Sequence, residues 1–230
     1  MMLSAAEWAI VALSLRIALV ATLLSLPFAI WIAWLLARRA FWGKSLLNIL
    51  VHLPLVMPPV VTGYALLLLF GKQGALGELL ETLFGLNFAF RWTGAALAAA
   101  VMGFPLMVRA IRLGFEAVDI GLEEAAATLG APRGAVFMRV TLPLITPALL
   151  TGAVLGFAKA MGEFGATITF VASIPGQSET LPSAIYTLLQ VPGGEAAALR
   201  LIAISVFVSV LALAISEILA RRAVKRVSGR

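Results

Sequence analysis

Two ionisable residues stand inside a long apolar run: Lys159 and Glu163, four positions apart and therefore on one face of a helix. Ionisable groups within such a run face a bundle interior or water and mark ion pathways by default. There an ammonium attracts an oxyanion, and a carboxylate one turn away holds the ammonium in place. The same two residues serve as well as a structural ion pair near the helix middle. Thr167 and Thr169 follow on the same run and offer hydroxyls along a path. Pro58 and Pro59, with Pro54, interrupt another apolar run. Backbone broken at that depth must face protein or a water-filled cavity rather than lipid, and transporters build pathways from such helices. A kink that only fits the packing is the competing account.

Catalytic chemistry finds no matching residues. The chain has no Gly-x-Ser-x-Gly elbow, no His-Glu-x-x-His pair and no Gly-x-Gly-x-x-Gly fingerprint. Gly43-Lys44-Ser45 looks like the end of a phosphate-binding loop, but Arg38 stands where that motif requires glycine. His52 is the only histidine, without a carboxylate at ligand spacing, and the absence of cysteine removes disulfides and thiolate sites. No catalytic residue, metal site or cofactor is therefore assigned, and any ATP is handled by a partner.

The chain is 62% hydrophobic and 12% charged, with a mean hydropathy of +1.05. Soluble domains are about 45–50% apolar and about 25% charged, so this is an all-α integral membrane protein surrounded by lipid. The net charge of +6 does not point to nucleic acid, because the basic residues sit at the ends of apolar segments, as membrane topology requires. A span takes roughly 20 apolar residues. Residues 1–230 are expected to form one membrane domain with about five spans, at about 10–36, 46–70, 93–108, 144–171 and 201–219. A short helix from Leu181 to Gln190 is expected to lie at the membrane surface. The N-terminus lacks a basic region, so a cleavable signal peptide is not expected.

Charge bias orients these spans. One set of loops carries Arg38, Arg39, Lys44, Arg109, Arg112, Arg133, Arg139, Arg221, Arg222, Lys225, Arg226 and Arg230; the other carries only Lys72, Arg91 and Arg200. The N-terminus is expected outside, with residues 116–143 and the C-terminus in the cytoplasm. Arg109 and Arg112 act either as anchors of that orientation or at the exit of an anion path. Arg16, near the outer end of the first span, reads as an interfacial side chain.

The polar stretch from Glu116 to Pro143 predicts two short helices and a turn. Asp119 caps the first helix, whose early residues include Glu123 and Glu124. Ala125, Ala126 and Ala127 present a small surface, and Gly130 suits a left-handed cap. Pro132 fits the start of the second helix, and Pro143 is expected to stop it. Such an element docks in a groove of another protein, or is an ordinary amphipathic loop.

The order Glu124-Ala125-Ala126-x-x-x-Gly130, nine residues, then Val140-x-Leu142-Pro143 resembles the cytoplasmic loop of the membrane subunits of bacterial ATP-binding-cassette importers. Val140 stands where that family usually has isoleucine. The stretches 52–64, 104–113, 162–176 and 181–195 are similar to molybdate permeases, and less so to sulfate and thiosulfate permeases. The resemblance implies the type I importer permease fold. It implies that Glu123, Glu124, Ala125, Ala126, Gly130, Val140, Leu142 and Pro143 couple to ATPase subunits. It also implies a homodimer in the bacterial plasma membrane, and a periplasmic or extracellular binding protein that delivers molybdate or the closely similar tungstate. A stand-alone secondary anion transporter is the reading that has no use for the central motif.

Overall fold

The computed structural model describes residues 4–228. Arg230 lies outside the described residues, as do the side chains of Arg221, Arg222, Lys225 and Arg226. The helices are α1 (Ala5–Arg38), α2 (Lys44–Val56), α3 (Pro59–Phe70), α4 (Ala75–Phe84), α5 (Trp92–Ala117), α6 (Ile120–Thr128), α7 (Arg133–Val136), α8 (Leu142–Met161), α9 (Gly165–Val171), α10 (Leu181–Leu189) and α11 (Glu195–Ser228). A five-residue π segment, Phe137–Thr141, joins α7 to α8. There is no strand among the described residues.

Small side chains bring the long helices together. α1 buries Ser14, Ala18, Ala21, Ala29 and Ala33 on one side, and α5 answers with Ala95, Ala98, Ala99 and Gly103. α5 meets α8 where a Cβ at Gly156 would lie 2.6 Å from the Met107 sulfur, and one at Gly152 would lie 2.9 Å from the Ile111 side chain. The Gly152-x-x-x-Gly156 pair is thus a packing seam of the small-residue kind. Ser4 opens α1 as a capping box, its hydroxyl accepting from the Glu7 N–H while Glu7 accepts from the Ser4 N–H.

Among the described residues, four helical runs are long and apolar enough to cross a membrane: Ala5–Arg38, Trp92–Ala117, Arg133–Met161 and Glu195–Ile215. α2 and α3 are bent 114° from one another and are apolar enough to count as a fifth if taken together. Near its start α2 meets the C-terminal end of α5, where Arg112 donates to the Asn48 side chain at 3.1 Å. At its end α3 reaches the other end of α5, where Phe70 and Phe88 pack edge to face at 5.9 Å. The bend falls at Met57–Pro58, with Pro59 opening α3, while Pro54 lies within α2.

The helix bounds differ from the apolar runs in several places, and α5 runs on past Val108 to Ala117, taking Arg109 and Arg112 into the helix. The run from Leu144 to Val171 is not one helix, because α8 ends at Met161 and α9 begins at Gly165. The Gly-rich stretch after α3 contains α4, capped by Gly85 in the left-handed region at φ 64°. Pro143 does not stop a helix; the π segment carries the chain through it. Arg16 stacks its guanidinium over Trp92 at 3.9 Å, a cation–π contact.

Candidate functional site

The polar loop forms at the end of the bundle where α1 and α5 finish. Asp119 caps α6 through its side chain, which accepts from the Gly121 N–H at 2.9 Å. α6 has no buried residue. Ile120, Leu122 and Met138 are more than half exposed or close to it, and Leu129 is 89% exposed. Apolar groups held open to this extent on a charged surface are what a docking face requires. Gly130 closes the helix at φ 85° with open space around it, and Pro132 caps α7.

Glu123 and Glu124 are neighbours in sequence with opposite surroundings. Glu124 is exposed. Glu123 turns toward the bundle, accepting from the Thr141 hydroxyl at 2.7 Å and from the Arg38 guanidinium at 3.3 Å. Arg38 also donates to the Val118 carbonyl at 3.3 Å. From the sequence, Arg38 reads as an orienting charge and the residue that spoils a phosphate-loop match, not as a partner of the loop. No local signal could have revealed its partner, because Glu123 is 85 positions away. Between α1 and the loop lies a cleft of about 690 Å³, lined among others by Trp31, Trp34, Glu124, Arg133 and Phe137.

The π segment explains how the chain passes Pro143. Proline has no N–H and its ring crowds the carbonyl four residues back. Here the Leu142 N–H bonds to the Phe137 carbonyl, five residues back, and the turn widens before the proline. Val140, Leu142 and Pro143 are thus part of one continuous path from the loop into α8. Thr141 faces inward, buried.

Four of the pathway candidates, Lys159, Glu163, Thr167 and Pro59, gather at two helix breaks that meet. The α3 and α9 N-termini touch: a Cβ at Gly63 would lie 2.5 Å from the Ala166 carbonyl oxygen, and one at Gly165 would lie 2.7 Å from Pro59. Lys159 and Glu163 pair at 2.6 Å, with side chains 28% and 1% exposed. Because α8 stops at Met161, this pair straddles a helix end and not a helix middle. The second carboxylate oxygen of Glu163 accepts from the Ala166 N–H at 3.0 Å, so one residue holds Lys159 and the start of α9 together. The Thr167 hydroxyl donates to the Phe164 carbonyl at 2.9 Å, and that of Thr169 to the Gly165 carbonyl at 2.8 Å. Both hydroxyls spend their proton on their own helix. Lysine carries three donors, and Lys159, more than a quarter exposed, uses one of them on Glu163. Pro58 sits at the bend itself.

The other residues singled out by their chemistry lie elsewhere. His52 Nδ1 lies 2.8 Å from the Asn48 carbonyl oxygen, within its own helix. Arg112 pairs with Glu116 at 2.7 Å in addition to holding Asn48, and Arg109 is exposed. No group of metal-binding side chains occurs among the described residues.

Residues 25–225 match the family described as "Binding-protein-dependent transport system inner membrane component". The chain is 58% identical over 221 residues to the molybdenum transport system permease protein ModB of Escherichia coli K12, covering 96% of each. It is 52% identical over 214 residues to ModB of Haemophilus influenzae, covering 93% of each. The sulfate transport system permease protein CysW of Synechococcus elongatus is 40% identical over 173 residues, which is 74% of this chain and 60% of that one. Among solved structures, a bacterial ABC transporter that imports the polysaccharide alginate superposes with a TM-score of 0.72 at 17% identity, covering 97% of this chain and 80% of that chain. A second structure of a bacterial alginate ABC transporter, in complex with its pentasaccharide-bound periplasmic protein, gives a TM-score of 0.69 at 18% identity, with the same coverage.

Proposed function

This chain belongs to the family of binding-protein-dependent transport system inner membrane components, and from that premise we propose that it is the membrane-spanning subunit of an ATP-driven importer for molybdate. The observation that carries the reading is the 58% identity to a molybdenum permease, sustained over 96% of both chains. The all-helical bundle has the fold of type I ABC importer permeases. Sulfate permeases are the second reading, favoured by relatives of lower identity and coverage. A permease subunit is not itself catalytic.

In this reading the chain is one domain of five crossings, with α2 and α3 together as the second. The N-terminus is outside, and the loop between α5 and α8 faces the cytoplasm. The Lys and Arg bias supports that orientation. Two copies form the path, and an ATPase subunit docks on each loop through the exposed face of α6 and the turn after it: Glu124, Ala125, Ala126, Leu129 and Gly130. ATP binding and hydrolysis on those subunits move the loops and expose the path to each side in turn. A binding protein delivers the anion. Near the α8–α9 break, the free donors of Lys159 meet a tetrahedral dianion while Glu163 fixes the lysine in place.

The test is uptake into proteoliposomes that hold the chain with its ATPase and a binding protein. Molybdate uptake is expected to require ATP and to be competed by tungstate far better than by sulfate or thiosulfate. Gradient-driven uptake by the chain alone, without ATP, would sink the reading. Glu124→Lys is expected to lose the ATPase on co-purification while the chain still inserts in the membrane.

A further inference from the structure

A force applied to α6 has few routes into the bundle. The helix is nine residues long and buries none of them fully, so packing holds it only loosely to the elements beside it. Its covalent exits are compliant. On one side the chain turns at Val118–Asp119, and on the other lie Gly130 in open space at φ 85° and the widened π turn. Left to these, a displacement of α6 would be absorbed in the turn after it and in the π segment.

One rigid connection bypasses both. Glu123 on α6 is held by Arg38, the last residue of α1, at 3.3 Å and by Thr141, the last residue of the π segment, at 2.7 Å. The same guanidinium group holds the Val118 carbonyl at the end of α5, at 3.3 Å. One carboxylate and one guanidinium thus join four elements at a point where the Arg38 and Glu123 side chains are only 14% and 25% exposed. A charge-assisted contact of this kind, shielded from water, is stiffer than a surface ion pair.

We infer that the Arg38–Glu123–Thr141 node is the mechanical link that passes movement of the docking helix to α1 and α8, and that Glu123 is a positioning residue facing the bundle and not a contact to the ATPase. This rests on the reading of α6 as the ATPase-docking element. It divides two adjacent glutamates between two tasks: Glu124 binds the motor, and Glu123 transmits its stroke.

The experiment uses the complete complex in proteoliposomes. Glu123→Ala is expected to keep the ATPase subunits on co-purification and to keep ATP hydrolysis within about twofold, while uptake falls at least about tenfold; a tenfold change corresponds to about 1.4 kcal/mol. Because the chain has no cysteine, Arg38→Cys with Glu123→Cys gives a clean pair for a bifunctional thiol reagent. Cross-linking that pair is expected to restore uptake to at least half. Loss of the ATPase from Glu123→Ala would make Glu123 a docking contact and overturn the inference. So would unchanged uptake, or a cross-linked pair that stays inactive. If instead the wild-type complex shows no ATP-dependent uptake, the importer reading itself fails, whatever Glu123 does.

Discussion

The loop from Glu116 to Pro143 and the corner from Gly162 to Ser183 are both polar interruptions between apolar helices, yet they are finished in opposite ways. The corner closes on itself. Ser178, 1% exposed, accepts from the Ile174 N–H and sits 3.2 Å from the carbonyls of Val171 and Ala172. That clasp holds Ala172 at φ 59°, ψ −172°, a backbone region that suits glycine. Ser183 ties Ser173 to Thr180, and Ser14 on α1 accepts from the Leu181 N–H. The loop instead rests on the bundle through its two ends, where Val118, Phe137 and Leu142 join the core, and through one ionic node on α6, and it leaves Leu129, Ile120 and Glu124 open. Polar groups that are buried must be satisfied within the chain. A surface left apolar and charged is completed by something else.

Substitutions should therefore act on folding in one region and on assembly in the other. The largest effect is expected at the seam beneath the corner. Gly63→Leu places a side chain against the Ala166 backbone, where even a Cβ would approach to 2.5 Å. Overpacking costs about 1–3 kcal/mol, and backbone cannot yield as a side chain does. Loss of monodisperse protein in size-exclusion chromatography is the expected result, and an unchanged melting temperature would contradict the close α3–α9 approach. Leu129→Ser should act the other way. The melting temperature stays within the range of a surface change, about ±0.5 kcal/mol, while ATPase recovered on co-purification falls about tenfold, as for an exposed apolar anchor. A stability loss without an assembly defect would erase the contrast.

The smallest effect concerns Glu179, at the rim of the corner. Partial burial pushes its carboxyl above the ordinary value of 4.5, so the folded state disfavours the charged form. The resulting penalty is present above the raised pKa and vanishes below 4.5, where folded and unfolded chains are both protonated. Glu179→Gln is thus expected to raise the melting temperature slightly at pH 7–8 and to leave it unchanged below pH 4.5. A gain of equal size at both pH values would assign it to packing instead.

Much of the helical plan was legible because apolar length is a one-dimensional property. The bend at Met57–Pro58 was announced by its prolines. The break at Gly162–Phe164 was not, because no proline marks it, and Gly162 and Gly165 read as residues of close helix packing. Glu163 was visible as a partner for Lys159, but its second bond, to the start of α9, exists only because α8 ends there. The loop proposed as a docking face stood out in the spacing from Glu124 to Pro143. The division between Glu123 and Glu124 was not, since which of two adjacent carboxylates points inward depends on Arg38, at the end of a different helix.

The π segment also bears on what kinds of sequence change this chain can absorb. A widened turn of this type amounts to one residue inserted into an α-helix. Deleting one residue between Phe137 and Thr141 would restore regular hydrogen bonding and leave the helical segments on either side near their present phase, because the wide turn already absorbs that residue. A deletion in the regular helix beyond it has no such outlet and turns what precedes it by about 100° against α8, which Gly152 and Gly156 fix on α5. The wide turn is thus where the chain can lose a residue between the loop and α8 without turning one against the other.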